Sequence, residues 1–191
     1  IIQVYSLKKK ILYIFLILIL NFHNLASADE KENIINKLEN TKSLKFKFEQ
    51  KTNEEVEEGV CQLVFPSKLK CSYNDNKQKE LIINKNRLAI TQKRYNKTSY
   101  YSLKKSPFLN ILNKNQLIEL VKKSSLMYKN NIIRLTSLNS NQRKIIILFD
   151  KNNFNLIGWE IEDQFQNKII FLIEILSINK EVNLKIFEIP A

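Results

Sequence analysis

Alternation with a period of two runs through most of this sequence and fixes its class of fold ahead of any other feature. Leu44, Phe46 and Phe48 alternate with Lys45, Lys47 and Glu49. Successive side chains of a strand point to opposite faces, so this spacing makes one apolar and one solvated face. The same reading predicts strands at Gly59–Phe65, Leu69–Tyr73, Glu80–Asn84, Arg87–Lys93, Ser99–Leu103, Asn131–Ser137, Lys144–Asp150, Leu156–Asp163, Lys168–Ile178 and Asn183–Ile189. Polar turns at roughly ten-residue spacing predict an antiparallel meander. Lys51–Glu58 is polar and acidic and reads as a loop or hairpin tip, and Pro66-Ser67-Lys68 reads as a turn, since proline presets φ and cannot donate to a ladder.

The period changes twice. Residues 29–43 read as a helix, with Ile34, Ile35 and Leu38 on one face and Asp29, Glu30 and Glu32 at the end where the helix dipole favours negative charge. At Ser106-Pro107 a cap and first helical position introduce Phe108, Leu109, Ile111 and Leu112, then Leu117, Ile118, Leu120 and Val121, which predict two short helices with strongly apolar faces. About ten strands in one sheet must curl or close. The predicted fold is α+β, mainly β: a curved antiparallel sheet forming an open half-barrel, with helices covering its concave face as a lid.

The first 28 residues read as a separate module. Lys8, Lys9 and Lys10 precede the ten-residue apolar run Ile11–Leu20, and Ala26-Ser27-Ala28 supplies a small-x-small cleavage pattern. Ten residues span about 15 Å as a helix, roughly half a bilayer core, which favours a cleaved secretory signal over an anchor. Residues 29–191 are then one domain, exported to the periplasm. The net charge is +12, and removing the three leader lysines leaves +9. A basic protein outside the cytosol meets anionic head groups or acidic protein faces, and no nucleic-acid partner is expected.

Catalytic chemistry has little to work with. The one histidine, His23, lies in the predicted leader, so no His-based nucleophile system or His-ligated metal is available to residues 29–191. Gly59 and Gly158 stand alone, so there is no glycine-rich phosphate loop. Glu160 and Glu162 lie two apart on an outward strand face and read as solvated surface, not as a paired-acid site. No enzyme activity, metal or cofactor is expected. Cys61 and Cys71 share parity about the Pro66 turn. A turn centred on Pro66 sets them directly opposite, within bonding reach, whereas one centred on Ser67 leaves them diagonal and too far apart. Either they bond or they are two small buried apolar residues.

Several segments, taken in order, resemble the LolA family of periplasmic lipoprotein carriers: Phe48-Glu49-Gln50 at the end of the first strand, Gly59 opening a strand that ends at Pro66, Lys68–Tyr73 with its terminal aromatic, Ser106-Pro107-Phe108 before Leu109 and Leu112, Leu156-Ile157-Gly158-Trp159, and Phe187-Glu188-Ile189-Pro190. The resemblance covers essentially all of residues 29–191. Phe65 stands where the family usually has an arginine that bonds the lid, and Cys71 stands where members often have tryptophan.

The resemblance implies a carrier that binds lipoprotein acyl chains in a hydrophobic cavity and moves them from the inner to the outer membrane. Its partners would be an inner-membrane ABC lipoprotein exporter and an outer-membrane receptor lipoprotein, and the protein would act as a monomer. The alternative is a LolA-like lipid-binding envelope sensor. The expected cavity wall is Phe46, Phe48, Cys61, Leu63, Phe65, Leu69, Cys71, Leu81, Ile83, Leu88 and Ile90. The expected lid is Phe108, Leu109, Ile111, Leu112, Leu117 and Val121. A ligand would compete with the lid for the wall, each buried methylene contributing about 0.8 kcal/mol.

Overall fold

The structure, a computed structural model, describes residues 29–104, 106–138, 144–162 and 167–190. The predicted leader, residues 1–28, lies outside them. The described residues from Ile34 onward form one compact unit, and residues 29–33 are helical.

The strands are β1 (Ser43–Thr52), β2 (Glu55–Val64), β3 (Lys68–Tyr73), β4 (Lys79–Asn84), β5 (Arg87–Gln92), β6 (Lys97–Ser102), β7 (Ser125–Lys129), β8 (Ile132–Leu138), β9 (Lys144–Asp150), β10 (Leu156–Glu162) and β11 (Lys168–Ile178). The helices are α1 (29–39), α2 (Pro107–Leu112) and α3 (Lys114–Lys123). All eleven strands belong to one antiparallel sheet in the order β6-β5-β4-β3-β2-β1-β11-β10-β9-β8-β7. Two meanders meet at the β1–β11 pair, and the edge strands β6 and β7 do not join. The sheet is therefore an open half-barrel, as the sequence predicts.

The inward face follows from register. Phe46 opposes Cys61 and Ile175, Cys61 opposes Cys71, and Cys71 opposes Leu81. This row and its neighbours join Ile34 and Leu38 of α1 and Ile111, Leu112, Leu117 and Val121 of α2 and α3 in one buried apolar cluster. The helices thus cover the concave side.

Four local readings need correction. Helix α1 ends at residue 39, not 43. The Asn40 and Thr41 side chains donate to the Asn36 and Lys37 carbonyls, and the Asn179 side-chain oxygen captures the Lys42 amide and starts the strand. Lys51–Glu58 is no loop: β1 and β2 continue through it to a two-residue turn, with Asn53 in the left-handed region at φ 56°. A stretch polar on both faces carries no alternation and so resembles a loop. Ser125–Lys129 is a strand that its composition concealed, because an edge strand leaves large side chains such as Met127 in water. Asn183–Ile189 is not a strand. The Asn183 side chain accepts the Lys185 amide and turns Leu184–Phe187 into a 3-10 segment. That segment packs on β3 and β4 with Phe187 fully buried, and the Asn84 side chain donates to the Phe187 carbonyl.

Candidate functional site

The candidate site is the concave face and the helices that fill it. Phe46, Phe48, Leu63, Leu69 and Ile83 are fully buried there, and Phe65, Leu81 and Leu88 are partly buried against the same cluster. Ile90, opposite Leu81 and Ser99, is only partly buried, toward the β6 edge. From the lid, Ile111, Leu112, Leu117 and Val121 are fully buried, whereas Phe108 and Leu109 remain partly exposed.

The hairpin turn settles the cysteine alternatives. Val64 opposes Lys68, so the turn is centred on Pro66, and Cys61 and Cys71 are directly paired with Cα atoms 4.1 Å apart. They form a disulfide on the concave face. The turn also reaches the lid: the Ser67 amide donates to the Leu112 carbonyl at 2.9 Å.

Capping residues set the lid's joints. The Ser106 hydroxyl accepts the Phe108 amide, with Pro107 at the first position of α2. A single residue, Asn113, separates α2 from α3. Its backbone is extended (φ −97°, ψ 111°) and its side chain accepts the Gln116 amide. The next residue, Lys114, donates to the Glu39 carbonyl at the end of α1 at 3.1 Å and sits 5.5 Å from the centre of the Phe65 ring. Burial, with Lys42 nearby, holds the Lys114 ammonium below the usual lysine range, and Glu39 opposes that shift. Phe65, at the arginine position, thus presents a ring to a lysine of the lid.

The other end of α2 rests on an aromatic row absent from the expected wall. Phe48 on β1, Phe171 on β11 and Trp159 on β10 stack nearly parallel, with centroids 5.0 and 4.5 Å apart. Trp159 and Phe171 are register partners on adjacent strands, whereas Phe48 is paired with Ile173 and reaches Phe171 diagonally. Tyr73 closes the row edge-on against Phe48 at 4.9 Å, and Phe108 of α2 lies 5.5 Å from Trp159. Gly59 makes room for this: a Cβ there would fall 2.7 Å from the Phe48 ring and 2.1 Å from the Ser72 carbonyl oxygen. Burial, with Glu57 and Asp75 nearby, pushes the Tyr73 phenol up, so it stays neutral.

Charges sit on the outer face. Glu160 is paired with Arg134 (2.8 Å) and Lys168 (3.1 Å), and it is buried, contrary to the solvated reading of its strand face. Burial alone would raise its pKa, but the two cations bring it below the ordinary glutamate value. Glu80, between Lys70 and Lys93, behaves in the same way. Among the described residues no cluster suits a metal ion, and no helix is long and apolar enough to cross a membrane.

An eleven-stranded open sheet with a helical lid on its apolar face defines a class of lidded half-barrel proteins. The family model for the outer membrane lipoprotein carrier protein LolA matches residues 39–190, and the chain belongs to that family. No curated protein sequence matches it. Among solved structures it is similar to an uncharacterized conserved protein from Thermus thermophilus (7% identity, TM-score 0.52), covering 86% of this chain and 94% of that one. It is also similar to the lipoprotein LppX of Mycobacterium tuberculosis (12% identity, TM-score 0.46; 83% and 98% covered). A third similarity is to a chain of the MucA/MucB complex of Pseudomonas aeruginosa (9% identity, TM-score 0.47; 86% and 61% covered).

Proposed function

We propose that this protein is a periplasmic carrier that takes lipoprotein acyl chains onto its concave face and delivers them from the inner to the outer membrane. It is a binding protein and not an enzyme. The observation that carries this reading is the lid: apolar side chains of α2 and α3 occupy the face that a ligand would need. An open apolar face of this size would aggregate, and a rigid greasy cavity would not release its cargo. A lid that fills the face when empty exchanges one set of apolar contacts for another, so loading and unloading stay close to balance. Nothing in the sequence binds nucleotide, so direction comes from partners: an inner-membrane ABC lipoprotein exporter that loads and an outer-membrane receptor lipoprotein that accepts. The carrier works as a monomer, and residues 1–28 are its cleaved export signal.

The test is release. Membranes carrying newly made lipoproteins are incubated with the protein and an energy source, then sedimented. The expected result is lipoprotein in the supernatant, bound to the protein in equal number. Lipoprotein that stays wholly with the membranes overturns the carrier reading.

A further inference from the structure

We infer that the protein docks on anionic lipid head groups through a basic rim at the Pro66 end of the sheet. This surface is separate from the concave face and stands whether or not that face takes acyl chains. The joints of the chain at this end carry cations. Lys42 precedes β1 with its amide on the Asn179 side chain, and Lys180, next to Asn179, accepts the Ser43 hydroxyl at its carbonyl. Lys68 opens β3 after the Pro66 turn, and the Lys85 amide donates to the Ser67 carbonyl of that turn. Arg87 opens β5 opposite Ser102, and Lys104 follows Leu103, whose amide donates to the Asn86 carbonyl. Five of the six are exposed, and Lys68 is half-buried. None of them forms an ion pair with a described residue. Glu39 at the end of α1, and Glu181 and Glu188 after β11, are fewer than these cations. Toward the other end of the same strands, acids and bases are mixed and paired. Glu54, Glu55, Glu57 and Glu58 crowd the β1–β2 tip, Lys79 pairs with Glu57, and Lys70 and Lys93 share Glu80.

The form of the rim fits a charged plane better than an acidic protein face. Protein interfaces deplete lysine and rely on aromatic or arginine anchors held in fixed pockets. Here the cations are mostly lysines, spread over separate turns and free of partners that would fix their heads. A head-group layer asks only for point charges within a Debye length of its surface, and turns at one end of one sheet reach such a layer together. Tyr101, 55% exposed on the edge strand β6 and close before Lys104, adds a ring of the kind that settles at head-group level.

The exported protein, purified from the periplasm, is sedimented with vesicles of phosphatidylcholine alone or of phosphatidylcholine mixed with phosphatidylglycerol. Binding is expected to the mixed vesicles only. It should weaken as salt shortens the Debye length from about 10 Å at 0.1 M to about 3 Å at 1 M. The double variant Lys42→Gln, Lys104→Gln should bind mixed vesicles about tenfold more weakly or worse, since each lysine near such a surface is worth about fivefold. Lys77→Gln, Lys97→Gln removes the same charge from the β3–β4 turn and the start of β6, at the other end. It should bind within about twofold of the wild type, its charges lying beyond a Debye length from the membrane. A second rim pair, Arg87→Gln with Lys180→Gln, should repeat the loss, and circular dichroism checks that each variant folds. Equal losses at the two ends would reduce the effect to net charge and overturn the rim. Equal binding to both kinds of vesicle overturns the head-group reading. So does absence of binding to either, which would leave acidic protein faces as the rim's counterpart. None of these outcomes decides lipoprotein release, so the carrier reading stands or falls separately.

Discussion

The two ends of helix α2 are built differently, and the difference bears on how firmly each part of the lid is held. At its C-terminal end, Leu112 is buried, its carbonyl is tied to the Pro66–Ser67 turn, and the adjacent Lys114 reaches α1. That turn belongs to the hairpin stapled by Cys61–Cys71. At its N-terminal end, Phe108 is partly exposed and touches a row of rings through a tilted aromatic contact. The first end is held by directional bonds to a cross-linked hairpin; the second is anchored upstream, where the Leu103 amide donates to the Asn86 carbonyl and the Ser106 amide to the Leu103 carbonyl, but Phe108 itself is held by apolar contact. Apolar contact is non-directional, so a ligand's methylenes can replace it, whereas a displaced hydrogen bond leaves a buried polar group behind. On the outer face, Lys70–Glu80–Lys93 links β3, β4 and the segment after β5, and Arg134–Glu160–Lys168 links β8 and β11 to the strand that carries Trp159.

The largest test of this contrast is truncation at the two ends. Leu112→Ala, at a fully buried site, is expected to cost about 3 kcal/mol, and Leu109→Ala about 1 kcal/mol. At about 3 °C per kcal/mol for a chain of this size, the melting temperatures should fall by about 9 and 3 °C. Thermal unfolding followed by circular dichroism reads both. Equal losses would mean that the two ends are equally fixed. The next effect comes from the staple. Opening the ten-residue loop between Cys61 and Cys71, by reduction or by replacing both with alanine, should cost about 2–3 kcal/mol in the chain-entropy model. Hydrogen exchange should then quicken at the Ser67 amide and remain slow in β9 and β10. Uniform quickening would dissolve the distinction between the stapled hairpin and the far side of the sheet.

Much of this architecture is legible in the sequence, and the parts that are not share a physical cause. Period two marks strands wherever one face is wet and the other dry, as at Leu44–Phe48. It fails at the β1–β2 tip, wet on both faces, and at the edge strand β7, where solvent reaches large apolar side chains. It also fails to carry a face across a bulge. The ladder between β9 and β10 shifts between Leu156 and Gly158, where Gly158 adopts φ 152° and a Cβ would meet the Phe171 carbonyl at 2.3 Å. Leu156 and Trp159, of opposite parity, therefore both face inward. Trp159 and Phe171 are absent from the expected wall for this reason and because their stacking depends on pairings distant in sequence. The signal for them is the Leu-x-Gly-Trp segment together with alternation through Lys168–Ile178. The half of the wall named from sequence, Phe46 to Leu88, lies on strands without such a shift between them.

A smaller effect belongs to Lys114. Lys114→Met removes its hydrogen bond to the Glu39 carbonyl and its charge beside Phe65, worth together about 1 kcal/mol at a largely exposed site. Its melting temperature should fall by about 3 °C, and Lys114→Arg should restore most of the loss. If Lys114→Met leaves both the melting temperature and protection of the Ser67 amide unchanged, the pinned end rests on packing alone.

The smallest effect is acid sensitivity at the other end. Glu160 ionises below the ordinary glutamate value of 4.5, because hydrogen bonds from Lys168 and Arg134 outweigh the cost of its burial. A carboxylate with a depressed folded-state pKa binds fewer protons in the native than in the unfolded chain. Its stabilisation is therefore complete above pH 4.5 and is lost as pH falls through the lower, folded-state value. Glu80 follows the same rule on β4, with Lys93 and Lys70 as its partners. Glu160→Gln should lower the melting temperature by about 2 °C at pH 7, within the range of single ion pairs. The variant should also lose less than the wild type between about pH 5 and pH 3. Because β10 carries both Glu160 and Trp159, acid should blue-shift or quench the tryptophan emission of the wild type before global unfolding, and Glu160→Gln should lack that early change. An emission trace that follows global unfolding in both proteins would detach this ion set from the aromatic end of the lid.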